Sequence, residues 1–151
     1  MTTPAKVYFI KDLKAENIVK IYEKLGKKLA EPVAVKVHTG EKGNQNFLRP
    51  EYFKPMVDKL GDAKICECNT AYDGERNTTE KHKGLLEFHG WSTTFPDRCD
   101  ILDEYQNPEQ DLHLPINDGY KLKMNYVGQH LENYNSLLVL CHFKAHGLGV
   151  N

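Results

Sequence analysis

Residues 32–50 constrain the fold of this chain more than any other stretch. Alternating valines from Val33 to Val37 are typical of a buried β-strand, and their period of two places Lys36 and His38 on the same side of it. The chain then turns polar over residues 39–44, where two glycines permit a tight turn and bring backbone N–H groups close to a ligand. Pro50 is tolerated at the first position of a helix. The stretch therefore predicts a strand, a polar loop and a helix, in that order.

Four side chains with useful chemistry surround this loop. They are the amine of Lys36, the imidazole of His38, the carboxylate of Glu41 and the guanidinium of Arg49. A charged surface loop that happens to hold a histidine is the alternative interpretation.

The length and charge of the chain limit what it can be. Its 151 residues suit one domain with one core, which we expect to cover residues 1–151. Its 20 basic and 21 acidic residues give no field for binding nucleic acid or an anionic membrane. No apolar run approaches the ~20 residues of a membrane span, and no apolar signal region precedes residue 7. Four cysteines do not form a dense disulfide framework, so we expect a cytoplasmic protein with reduced thiols.

Strand and helix patterns alternate along the chain. Strands are predicted at residues 7–10, 33–38, 63–70, 99–103 and 137–140, helices at 18–29, 50–61, 77–90 and 128–134, and a hairpin at 112–126 around Asn117-Asp118-Gly119. The last strand has the continuous apolar character of a strand buried on both faces. This alternation predicts an α/β fold with a mainly parallel sheet flanked by helices and an antiparallel hairpin near residues 112–126.

Polar side chains follow three of the predicted strands. His38, Glu41 and Asn44 follow the second strand, Asn69 follows the third, and His142, Lys144 and His146 follow the last. Ligands of open parallel sheets bind beyond the carboxyl ends of the strands, so we expect one shared site there. A solvated sheet edge is the alternative.

Several chemistries are open to such a site. Lys36, Arg49 and Lys144 can hold a phosphate or carboxylate. The histidines at 38, 142 and 146 can bind a metal or act as acid and base, and the spacing of His142 and His146 makes them the candidate metal ligands. Hydrogen-bonded loop histidines are the alternative. The histidines at 82, 89, 113 and 130 receive no role.

The cysteines point to packing. Cys66 and Cys68 fall inside a predicted strand, too close for an ordinary disulfide and without the spacing of a zinc knuckle. The chain contains no iron–sulfur cluster motif, no phosphate-binding glycine motif and no serine-hydrolase motif.

Together the signature stretches resemble the domain-of-unknown-function family 362, from about Val33 to the end of the chain. They are Lys36-Val37-His38-Thr39-Gly40-Glu41-Lys42-Gly43-Asn44, Leu48-Arg49-Pro50-Glu51, Asn69-Thr70 and His142-Phe143-Lys144-Ala145-His146-Gly147. Many members of that family carry a ferredoxin-like module after this domain, and they run on past the histidine stretch, so the chain is expected to be shortened at its C-terminal side.

The resemblance implies which positions function but not which reaction they perform. The positions that it implies are Lys36, His38, Glu41, Arg49, Asn69, His142, Lys144 and His146. With the chemistry of the side chains at the strand ends, we predict a catalytic set of His38, Glu41 and His142, a ligand-binding set of Lys36, Asn44, Arg49, Asn69 and Lys144, and a metal pair of His142 and His146. The cofactor remains unknown.

Three functions remain open at this point. The first is an enzyme-like or cofactor-dependent site, redox-linked by family analogy, and the second is a non-catalytic module for an anionic small molecule. The third is an accessory chain that assembles with another copy or another chain over an exposed sheet edge.

Overall fold

A computed structural model describes residues 4–142 of the chain. The elements, in chain order, are α1 (Ala15–Leu25), β1 (Val33–Lys36), α2 (Pro50–Leu60), β2 (Ala63–Glu67), α3 (Thr79–Phe88), α4 (Trp91–Thr94), β3 (Cys99–Ile101), β4 (Leu112–Pro115), β5 (Met124–Val127), a 3₁₀ helix (Gln129–Asn133) and β6 (Ser136–Val139).

Four strands form a parallel sheet in the order β3-β2-β1-β6, and β4 pairs with β5 in a separate antiparallel hairpin. The register places Lys36 of β1 opposite Cys66 of β2 and opposite Val139 of β6. The predicted α/β class, with its mainly parallel sheet and its hairpin, is confirmed.

The main core lies between the sheet and the helices on one of its faces. Val33, Val35 and Ile65 of the central strands pack against Phe53 of α2 and Trp91 of α4. The Phe53 and Trp91 rings lie 5.5 Å apart between centroids, so the two helices share one aromatic contact over the sheet. Because both central strands are buried here, the polar ends of β1 and β2 hold a fixed position.

The other face of the sheet is thinly covered. Ala34, Cys66 and Leu102 form a small buried cluster against Leu131 and Tyr134, which belong to the 3₁₀ helix and the residue after it.

Local signals explain where α2 and α3 begin and end. Pro50 is the first residue of α2. At the other end of this helix, Nη2 of Arg98 donates to the carbonyls of Val57 and Gly61, at 3.1 and 3.0 Å. The side chain of Thr78 accepts from the backbone N–H of Lys81 and begins α3.

Three expectations fail. Residues 7–10 form no strand, and Val7 and Phe9 are exposed. The first helix ends at Leu25, because Gly26 adopts a left-handed conformation and closes its last turn. The strand at 136–139 is not buried on both faces, since it lies at the sheet edge with Leu137 and Val139 exposed. Within residues 4–142, no helix combines the length and apolarity needed to cross a membrane.

Candidate functional site

The carboxylate of Glu67 is the centre of the polar groups at the carboxyl ends of β1 and β2. Glu67 is only 4% exposed. Nζ of Lys36 donates to Oε2 at 2.6 Å, and Nη1 of Arg76 donates to Oε1 at 3.0 Å. Nδ1 of His38 lies 3.6 Å from Oε1. Three basic side chains, two from the end of β1 and one from the loop after β2, therefore converge on one buried carboxylate.

Backbone groups complete the surroundings of Glu67. The N–H of Thr39 donates to Oε1, and the N–H of Cys68 donates to Oε2, both at 3.2 Å. Burial alone would raise the pKa of Glu67, but His38, Lys36 and Arg76 outweigh it and lower the pKa to about 2. Glu67 therefore carries its negative charge at all physiological pH values.

A second carboxylate holds the other side of Arg76. Glu41 Oε1 accepts from Nε of Arg76 at 3.0 Å, from Nη2 of the same guanidinium and from the hydroxyl of Tyr72 at 2.8 Å. Burial opposes ionisation of Glu41, yet the bonds from Arg76 and Tyr72 give it a lowered pKa. Arg76 is thus held between two anions, with little of it left exposed.

Beneath these charges lies a neutral chain of hydrogen bonds. His82 Nδ1 lies 3.2 Å from Oδ1 of Asn69, and its Nε2 lies 3.4 Å from Oγ1 of Thr39. Asn69 uses its Nδ2 to donate to Thr79, so its oxygen accepts and the network assigns the proton of His82 to Nδ1. Burial is the main cause that lowers the pKa of His82 to about 4, so this imidazole is uncharged at neutral pH.

Thr39 fastens the loop after β1 to the helices. Its carbonyl accepts from Nδ1 of His89 and from Nε1 of Trp91, both at 3.0 Å. The next residue, Gly40, has a φ of 93°, and a Cβ there would lie 2.6 Å from the ring of Phe47. The loop can follow this path only because residue 40 lacks a side chain.

Only part of the predicted site is brought together. Lys36 and His38 both face Glu67, as the period of two along β1 predicts, and Glu41 joins them through Arg76. Asn69 lies beneath, bonded to His82.

The other predicted residues lie elsewhere or beyond the description. Asn44 binds the backbone N–H of Asn46 at 2.8 Å and so stabilises its own turn. Arg49 is exposed, with its guanidinium carbon 3.9 Å from the centre of the Phe47 ring. His142 is an exposed residue at the end of the described range, and Lys144 and His146 lie outside it. The predicted convergence of that terminal stretch on His38 stays a prediction.

Sequence reasoning missed two central residues and misjudged two others. Glu67 could have been found, because it is an acid at the end of the otherwise apolar run Ile65-Cys66. Arg76 stands in a loop with no periodic signal. His82 and His89 were given no role, yet both bind Thr39, and His82 is fully buried.

Within residues 4–142, the side chains do not fit an iron–sulfur cluster. Among residues 4–142, no group of three or more His, Cys, Asp or Glu side chains could hold a metal ion. Burial raises the pKa of Cys66 to about 12 and those of Cys68 and Cys99 to about 11. These thiols stay protonated at neutral pH.

Comparison with known proteins gives one family. Domain of unknown function (DUF362) matches residues 33–150, and the chain belongs to this family. No curated protein and no solved structure matches the chain significantly.

Proposed function

We propose that the carboxyl-end rim of β1 and β2 binds a small anionic molecule and that His38 exchanges a proton with it. The observation that carries this proposal is the buried carboxylate of Glu67 held by Lys36, His38 and Arg76. Buried charges are costly, and their concentration at the carboxyl edge of a parallel sheet is typical of functional sites.

Lys36 is the group suited to meet the ligand's negative charge. Its ammonium has three N–H donors, of which two bind Glu67 and the carbonyl of Val37. Its side chain is 35% exposed, so the third donor can reach a molecule at the rim. Arg76 has its donors engaged by Glu41, Glu67 and Tyr72 and therefore acts as a positioning residue.

His38 is the group suited to move a proton. A carboxylate beside Nδ1 favours the tautomer with its proton on that nitrogen, and this leaves the basic lone pair on Nε2. Glu67 remains ionised, so it orients the imidazole without taking the proton itself. A histidine oriented in this way can serve as a general acid or base.

Titration with inorganic phosphate and malonate tests the binding, with the backbone amide ¹H–¹⁵N NMR signals of residues 36–40 as the readout. We expect saturable shifts in the wild-type chain and at least tenfold weaker binding in Lys36→Met. Lys64→Met is the matched control, because Lys64 is an exposed lysine of β2, located before Glu67 on that strand. Absence of shifts, or equal weakening in both variants, would contradict an anion site at this rim.

A second measurement separates catalysis from binding alone. The wild-type chain and His38→Gln are screened for turnover of small phosphate and carboxylate esters. Turnover that His38→Gln abolishes, with anion binding retained, supports acid–base chemistry. Retained binding without turnover by the wild-type chain supports the non-catalytic binding module. A redox-linked role and a metal bound by His142 and His146 stay proposals from the family resemblance. They are tested separately, with protein loaded with the metal or cofactor.

The cysteines support a reducing compartment for the protein. Cys66, Cys68, Cys99 and Cys141 are all free thiols, and the first three have raised pKa values because they are buried. For this reason we propose that the protein is located in the cytoplasm.

A further inference from the structure

We propose that the open edge of β6 is a docking site for an extended strand, and that residues 7–10 of the same chain occupy it. This inference concerns the side of the sheet beyond β6 and is independent of the proposed anion site.

The edge of β6 lacks the features that protect exposed strands. Within the described part of the chain, β6 pairs with β1 alone. Its sequence, Ser-Leu-Leu-Val, contains no charge and no proline, the residues with which proteins normally prevent strands from adding at an edge. The N–H of Leu140 donates to the carbonyl of Lys36 on β1, so strand alternation directs the amides of Leu137 and Val139 toward the open side.

An apolar groove runs beside this edge. A cavity of about 270 Å³ lies between α1 and β6, and its lining includes Ile18, Tyr22 and Leu25 of α1 with Leu138 and Leu140. The α1 side chains that should be the helix's buried face are only partly buried, and Leu25 is 48% exposed. Among the described residues 4–142, no strand covers the core where it continues past β6, and one more strand would cover it.

Residues 7–10 have the composition to fill that position. Their sequence, Val-Tyr-Phe-Ile, consists of β-branched and aromatic residues, which favour strands. The segment is unpaired in the structure, where Val7 is 87% and Phe9 is 86% exposed. Docking beside β6 would remove apolar side chains from water and would pair backbone groups on both segments.

Connection rules place the segment on this edge. Residues 7–10 lead into α1, and α1 leads into β1, as α2 leads from β1 into β2. Both helices pack on the same face of the sheet, where Ile18 and Tyr22 of α1 join the core of Phe53 and Met56. Right-handed crossovers on one face advance in one direction, so a strand before α1 belongs on the side of β1 away from β2.

The nearest position on that side is already filled. β6 lies next to β1, so the next position is the open edge of β6. From there α1 would cross over β6 to reach β1, and the apolar groove shows α1 lying over β6. The connection rules and the position of the apolar groove therefore both assign residues 7–10 to the open edge of β6, parallel to that strand.

Amide hydrogen exchange of the full chain, followed by NMR, tests this proposal. We expect the amides of Leu137 and Val139 to exchange at least tenfold more slowly than exposed amides, together with amides of residues 7–10. The double variant Val7→Asp and Phe9→Asp should remove both protections, and it should fold because both positions are exposed. Tyr120→Asp, at a hairpin position that is 93% exposed, should leave both unchanged.

Light scattering of the same samples identifies the occupant. Protection in a monomer, independent of protein concentration, supports docking by the chain's own segment. Protection that appears only with a dimer would show that a second copy occupies the edge, and fast exchange at Leu137 and Val139 would show that the edge stays open. Either of these two results overturns the proposal.

Discussion

Nζ of Lys36 lies 2.6 Å from Oε2 of Glu67, across the carboxyl ends of two neighbouring parallel strands. The register explains this contact, because Lys36 stands opposite Cys66 and Glu67 is the next residue along β2. The pair is asymmetric, since the side chain of Lys36 is partly exposed while that of Glu67 is buried. Loss of the carboxylate would therefore remove an anionic partner from both Lys36 and Arg76, whereas loss of the amine would leave Arg76, His38 and two backbone N–H groups around Glu67.

We predict that Glu67→Gln destabilises the fold by about 3 kcal/mol or more, because removing one partner of a buried charge network leaves the others uncompensated. Arg76 would keep only Glu41 as an anionic partner. Urea unfolding measures the change.

Glu75→Gln is the matched control for this substitution. Glu75 is a partly exposed carboxylate 3.8 Å from Nζ of Lys42, and its loss should cost under about 1 kcal/mol. Equal effects of the two variants would contradict a structural role for the Glu67 charge.

We predict that His82 makes the protein less stable as the pH falls from 6.5 toward 4. Burial lowers its pKa from 6.5 to about 4 in the folded chain, so the unfolded chain binds the proton first. The contribution is fully present above pH 6.5, and its loss by pH 4 amounts to about 3 kcal/mol. Unfolding free energies measured by urea at pH values from 7 to 4 should show this slope.

His82→Gln should remove that part of the pH dependence, whereas His113→Gln, a change at an exposed histidine, should keep it. The comparison is best made above pH 4.5, since Glu67 begins to contribute only below its ordinary pKa of 4.5. A His82 imidazole that titrates near 6.5 by NMR would contradict this assignment.

We predict that Gly40→Ala is far more damaging than Gly43→Ala. Both glycines have positive φ, 93° and 82°, so either substitution strains the backbone by about 1 kcal/mol. Only at Gly40 would the new Cβ also meet the ring of Phe47, at 2.6 Å, and displacing a packed ring adds a cost of about 1–3 kcal/mol. Thermal unfolding of the two variants separates the contact from the backbone strain, and similar losses at both positions would contradict the role of the Phe47 contact.

We predict that one of the four thiols reacts rapidly with a disulfide reagent in the native protein. Cys141 is exposed, whereas Cys66 is buried with a pKa of about 12 and Cys68 and Cys99 have pKa values of about 11. Thiolates are the reactive form, so these three should react slowly until the chain unfolds.

Cys141→Ser should remove the fast phase, and Cys99→Ser should leave it unchanged. Two fast thiols in the native wild-type chain would show that a second cysteine is more accessible than its burial indicates.

Local patterns were sufficient for part of the site. The period of two in β1 places Lys36 and His38 on one side, and both do face Glu67. The Gly40 turn and the start of α2 at Pro50 were equally readable, since glycine and proline restrict the backbone wherever they occur.

The remaining residues depend on contacts between distant segments. Arg76 binds Glu41, which lies 35 positions away in the sequence, and no local pattern in the loop of Arg76 predicts this contact. His82 looks like a surface residue of a polar helix until α3 packs it against Thr39 and Asn69. The apolar run at 137–140 indicated an interior strand, but strand order is a property of the whole sheet, and β6 lies at its edge.

The hydrogen bond from Trp91 to Thr39 has a practical consequence. The chain contains one tryptophan, so its fluorescence comes from one indole. That indole donates to the carbonyl of Thr39, and the backbone N–H of Thr39 donates to the Glu67 carboxylate. The fluorescence of Trp91 is therefore sensitive to changes at the carboxyl-end rim of β1 and β2. It offers a way to detect ligand binding at Lys36 and His38 without an attached dye.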